Sequence, residues 1–237
     1  MDNRSETSAS GSPIYRHQPR ERSFELPEHS CRNLEDIEAH IEKHIGKIEW
    51  VFHELVSDLV HLDVLFVKAT KERPYHVLVT SGVSDEAMNV PKGMEKFARA
   101  ELLIALPEDW PLTQADFKDG ANYWPVFWLK QIGRLPHDYN TWIGWGHTIP
   151  NGDPPQPIEN TSFTGVVLEP PFWLPAEFFQ LTTQAGDLVS FYDLVPLYFE
   201  EMQLKLKLGV EELEKRFERA EIGFVLDPHR PNVAQSE

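Results

Sequence analysis

The chain has 237 residues, with 38 acidic against 22 basic side chains, a formal charge of −16 and one cysteine. That length suits one large domain, or one domain with tails, whose core needs neither disulfides nor a structural metal, and the single Cys31 excludes an internal disulfide. The negative balance disfavours nucleic-acid binding, which depends on cations that displace phosphate counterions, and suits solvation or a basic partner.

Residues 1–30 hold Ser, Arg, Glu and Pro with few large apolar side chains and no period, so they read as a disordered N-terminal tail. From Asn33, a plausible N-cap, Glu35 and Asp36 fall where a helix N-terminus favours acids. Ile37, Ile41, Ile45 and Ile48 then form one apolar stripe, with Gly46 near the end of the helix. The period next switches to two: Ile48/Trp50/Phe52, Leu62/Val64/Phe66 and Tyr75/Val77/Val79 read as three neighbouring strands, broken at Gly82. Residues 100–106 make a fourth strand. Residues 124–135 repeat at helical spacing, with Pro125 in the first turn and Pro136 as the stop.

The Pro-, Gly- and Asn-rich stretch 150–160 is a loop. Residues 163–168 and 188–195 are further strands, and Val210, Leu213, Phe217 and Ala220 mark one face of a last helix. Residues 226–237 read as a C-terminal tail, leaving a domain over 31–225. Strands and helices interleave without strict alternation, which predicts an α/β (α+β) fold with a mixed β-sheet covered by helices. No apolar run approaches the ~20 residues of a membrane span. The N-terminus lacks the apolar stretch of a secretory signal, so a cytoplasmic location is expected.

Candidate chemistry is sparse. His53, His61, Asp63 and His76 alternate with apolar strand residues and could share one sheet face, where a His/Asp set suits zinc or iron. A metal-dependent hydrolase built on them is the enzyme alternative to a binding role, and a housekeeping scaffold is the other. Yet no HxH, HExxH or CxxC spacing fixes the ligands, and Leu65, Val67 and Leu78 carry the same parity, so no cofactor is expected. Thr80-Ser-Gly-Val-Ser-Asp85 is not a nucleophile elbow and is too poor in glycine for a phosphate loop; it reads as a strand-ending turn in which Ser84 and Asp85 bond local amides. Trp142-Ile-Gly-Trp-Gly-His147 reads either as an exposed recognition loop or as a bulged, buried strand. The pairs Glu200-Glu201 and Glu211-Glu212 lie at helix starts, where the dipole explains them.

Five blocks recur in order: His76 to Asp85, Ala100 to Trp110, Trp124 to Ile132, Trp142 to Ile149 and Asp187 to Tyr198. Together they resemble the suppressor-of-fused domain family of bacterial type, over about residues 37–218. Val83 departs conservatively from the Met or Leu common there. The resemblance implies a sandwich like the family's N-terminal lobe, no established enzymatic activity, and protein binding. Larger animal relatives restrain zinc-finger transcription factors by clamping an extended peptide between two lobes, whereas this chain resembles the first lobe only. Bacterial members are proposed immunity proteins that neutralise toxins, so the expected partner is another protein, a basic toxin domain. Exposed Trp110, Trp142 and Trp145 would be anchors, with His147, Ser84 and Asp85 beside them.

Overall fold

The structure is a computed structural model that describes residues 6–18, 23–27, 29–54 and 56–235. A small antiparallel hairpin comes first, β1 (Glu6–Thr7) and β2 (Pro13–Ile14). Helix α1 (Leu34–His44) follows, with Glu35 and Asp36 in its first turn and Ile37 and Ile41 fully buried, as the stripe requires. Asn33 stands at the N-cap position, but its side chain makes no cap; its Nδ2 donates to the Ser84 carbonyl at 3.1 Å.

The three alternating runs form an antiparallel meander, β3 (Ile48–Phe52), β4 (Asp63–Val67) and β5 (Tyr75–Ser81). The chain continues with β6 (Ala100–Pro107), α2 (Gly120–Asp138), β7 (Thr148–Pro150), β8 (Phe163–Glu169), β9 (Gln180–Thr182) and β10 (Leu188–Tyr198). Helices α3 (Phe199–Leu208) and α4 (Val210–Arg219) close it. The main sheet has eight strands in the order β3-β4-β5-β6-β10-β8-β7, with β9 added on β10. Only β6 and β10 pair in parallel among the described strands; the rest are antiparallel, so the sheet is mixed.

Strand parity decides the layers, because successive side chains leave opposite faces. Val64, Phe66, Leu78, Leu102, Ile104, Val166, Leu168 and Leu194 pack on one face against Trp124, Leu129 and Ile132 of α2. Leu65, Val67, Val77, Val79, Leu103 and Phe191 pack on the other against Ile37 and Ile41 of α1. Val167 and Leu197 share that second face and meet Met202, Leu213 and Val233. Each fully buried aliphatic or aromatic side chain contributes about 1.5–3 kcal/mol of transfer free energy, so two-sided burial of the central strands explains their near-continuous apolar composition. Among the described residues no helix is long and apolar enough to cross a membrane.

Four boundaries differ from the reading of the sequence. Helix α2 starts a turn earlier, where the Asp119 side chain accepts the Ala121 N–H at 3.0 Å, so Pro125 lies in its second turn. Pro136 does not end it but sits in its last turn, where the Tyr139 N–H still reaches the Leu135 carbonyl at 3.1 Å. The N-terminal stretch is not structureless over residues 6–14: the Ser10 N–H donates to the Leu206 carbonyl at 3.1 Å, and Tyr15 lies beside His147. Backbone bonds from small polar residues dock this hairpin, a signal that apolar counting misses. Nor do residues 226–235 fray, since Leu226 and Val233 are buried and Arg230 is 7% exposed.

Candidate functional site

The turn after β5 is a buried polar knot. Glu101 is 0% exposed, and its carboxylate accepts from Thr80 Oγ1 (2.5 Å), Gly82 N (3.1 Å), Ser84 N (2.9 Å) and Ser84 Oγ (2.7 Å). Asp85 Oδ1 accepts from the Asn33 N–H at 3.1 Å, and Arg99 donates to the Ser84 and Asp85 carbonyls. Gly82 has φ +114°, and a Cβ there would lie 1.8 Å from the His61 carbonyl oxygen, so glycine is required. Ser84 and Asp85 are 0% and 3% exposed, which removes both from any contact surface. Their side chains do not bond local amides as expected: Ser84 Oγ donates to the Glu101 carboxylate, and Asp85 Oδ1 accepts from Asn33 at the start of α1. Burial pushes the Glu101 carboxyl up to about 7, against the donors that lower it.

The segment 141–147 forms no strand; it is a loop leading into β7. Trp142 is half-buried with the His147 ring edge-on at 4.2 Å, and burial takes His147 down to about 4, so this imidazole is neutral at pH 7. Trp110 is likewise half-buried, donating to the Asn122 carbonyl at 3.0 Å and packing edge-on to Trp124. Trp145 differs: it is 53% exposed. Its indole N–H is shared between Glu169 Oε2 (2.8 Å) and Glu214 Oε1 (3.2 Å). Of the three tryptophans expected as anchors, Trp145 alone presents most of a ring to solvent.

Beneath it lies an acidic seam. Glu169 and Asp193 face each other across β8 and β10 and are 7% and 5% exposed. Trp173 Nε1 donates to Asp193 Oδ2 at 2.8 Å. Burial raises both carboxyls, Asp193 to about 7, and Glu214 beside Glu169 raises the latter further. Folded Glu169 therefore keeps a proton that the unfolded chain releases, so stability falls as pH rises above the unfolded carboxylate value. Glu169→Gln mimics the protonated form. Its advantage over the parent is expected to grow from near zero at pH 4 to about 1–3 kcal/mol at pH 8 in urea titrations. An advantage independent of pH would contradict the raised pKa.

The third cluster lies between β3 and β4. His53 Nδ1 is 2.9 Å from Asp63 Oδ2, and His61 Nε2 is 3.2 Å from Asp63 Oδ1. One donor atom from each of His53, His61 and Asp63 fits within 4.8 Å of the others. His76, expected on the same face, is not with them. The register pairs Asp63 with Ser81 and Phe66 with Leu78, so Asp63 and His76 point to opposite faces. His76 Nδ1 accepts from the Ala69 N–H at 2.9 Å and Nε2 donates to the Glu108 carbonyl at 3.0 Å, leaving no lone pair for a metal. Its ring packs against Phe66 at 5.0 Å.

Glu101, Glu169, Glu214 and Glu54 were missed in the sequence. The first two had a legible signal, a lone acid inside or ending an apolar strand run. Glu214 and Glu54 had none, because long-range contacts alone make them matter.

No curated protein sequence matches the chain. A SUFU (suppressor of fused protein) homolog from Neisseria gonorrhoeae FA 1090 is similar in structure, with 20% identity, a TM-score of 0.55 and coverage of 84% of this chain and 93% of that one. A chain of the Sufu–Fu complex crystal structure gives 13% identity, a TM-score of 0.59 and coverage of 85% and 92%. Drosophila Suppressor of Fused gives 12% identity and a TM-score of 0.57; 89% of this chain is covered, but only 52% of that longer one. These likenesses establish the fold. The family model for the suppressor of fused protein matches residues 58–231, and the chain therefore belongs to the suppressor of fused (SUFU) family.

Proposed function

We propose that this chain is a non-catalytic protein-binding module that neutralises a basic toxin domain by direct contact, with Trp145 as its anchor. The observation that carries the reading is Trp145, a residue 53% exposed yet oriented by the carboxyl groups of Glu169 and Glu214 through its indole N–H. A preset aromatic costs little entropy on binding and suits a hot spot. A Lys or Arg of the partner would stack on the indole face, for about 1–2 kcal/mol, and reach Glu214 at the rim. The charge of −16 would speed encounter with a basic surface.

Family membership supports protein binding, as does a Sufu–Fu complex among the similar structures. Strand β3 pairs only with β4 among the described strands and carries Trp50, 40% exposed, so a partner strand could add there.

The test is capture of a partner from the native cell lysate at low salt, identification by mass spectrometry, and titration with purified variants. The expected partner is basic, with affinity falling as salt rises. Trp145→Ala is expected to weaken binding by about 30-fold or more while the circular dichroism spectrum stays unchanged. Equal affinity for parent and Trp145→Ala would remove the anchor, and an acidic partner insensitive to salt would remove the electrostatic part.

A further inference from the structure

We infer that the β3–β4 connection holds one divalent transition-metal ion of the zinc class, bound by His53, His61 and Asp63 with a coordination position left open. The His61 ring is held from both sides: Ser57 Oγ lies 2.6 Å from its Nδ1, and its Nε2 lies 3.2 Å from Asp63 Oδ1. Ser57 is fixed in turn by Glu54 Oε2 at 2.9 Å, which is ion-paired with Arg134 and accepts the Leu62 N–H at 3.2 Å. The Nε2 atom is thereby aimed at Asp63, with His53 on the other oxygen of the same carboxylate.

Four observations favour a metal ion at this cluster. A second imidazole, His53, meets the other Asp63 oxygen at 2.9 Å, giving two nitrogens and a carboxylate, a common zinc donor set. One ligand atom from each of the three side chains already lies within 4.8 Å of the others, so a small turn of His53 would bring the set near the roughly 3.3 Å spacing of donors around a tetrahedral zinc ion. The outer partners are already in place: Ser57 on His61, and the Glu54 N–H on Asp63 Oδ1 at 2.9 Å. Finally, the His53 side chain is 68% exposed, which leaves it free to close the last ångström and leaves one side open to water or a partner's ligand. The nearby cations are engaged, Arg134 with Glu54 and Lys130 with the Phe52 carbonyl at 3.0 Å.

The experiment uses the full chain without a histidine tag, stripped with chelator and titrated with zinc chloride in a calorimeter. One ion per chain is expected, with a melting temperature that rises with zinc concentration. His53→Ala removes an exposed ligand with little risk to folding and is expected to weaken zinc at least tenfold, as is Asp63→Asn. His76→Ala, which alters a histidine on the opposite face, is expected to leave zinc affinity unchanged. The inference is overturned if no stoichiometric zinc binds or if His53→Ala and Asp63→Asn bind it like the parent.

Discussion

Arg230→Ala is expected to lower the unfolding free energy by about 3–5 kcal/mol, read as a fall in the urea midpoint. Arg230 holds Glu201, which is 0% exposed, with both guanidinium nitrogens at 2.6 and 2.7 Å. The same group donates to the Pro196 carbonyl at 2.8 Å and sits 5.0–5.1 Å from the rings of Phe163, Tyr198 and Phe217. Removing it strands a buried carboxylate whose remaining donors are the N–H groups of Tyr198 and Val233. It also loosens the last described residues, because the guanidinium bonds to Glu201 and to the Pro196 carbonyl are lost, while the Tyr198 hydroxyl bond to the Arg230 carbonyl and the Val233 N–H bond to Glu201 remain. Replacing both partners together, Glu201→Met with Arg230→Met, is expected to cost less than the single change, since neither charge is then left alone. A loss below 1 kcal/mol for Arg230→Ala would contradict this account of the anchor.

Glu101→Ala is expected to be similarly severe, about 3–5 kcal/mol, because it leaves the donors of Thr80, Gly82 and Ser84 without an acceptor in a sealed site. Glu101→Gln separates charge from hydrogen bonding. Its amide oxygen can keep the Gly82 and Ser84 donors, while its amide nitrogen can donate to Thr80, so a cost of about 1 kcal/mol is expected at pH 5. The folded carboxyl is raised to about 7, above its unfolded value, so the parent loses stability as pH climbs from about 4.5 to 7. Glu101→Gln lacks this titration. Its deficit should therefore shrink across that window, and a deficit constant from pH 4.5 to 7.5 would show that Glu101 titrates normally.

Much of the fold was legible because it rests on short-range periodicity. The Ile37/Ile41 stripe and the alternation through residues 48–81 follow from which side chains a helix or strand sends inward, and both held. The resemblance carried by the ordered blocks agreed with the family match. The candidate site was legible only in part. Trp145 and its neighbours could be named from Trp142-Ile-Gly-Trp-Gly-His147, but their exposure could not. Three tryptophans of one chemical type have different fates because Trp110 and Trp142 fall against core residues and Trp145 falls at a rim.

Composition and pattern were enough for the mixed sheet, its covering helices and the apolar stripe of α1. They also contained the lone acid of Ala100–Leu106, whose burial among apolar neighbours required a donor set to be built around it. Pairing across long separations decided the rest. Register put His76 on the face opposite Asp63, closure of the β3–β4 connection brought His53 and His61 together on that aspartate, and Arg230 turned an apparent tail into an anchored segment. Such contacts leave no local period. Their energy comes from single charged or polar groups that meet only after the strands and helices have assembled, so they depend on distances that chain order does not contain.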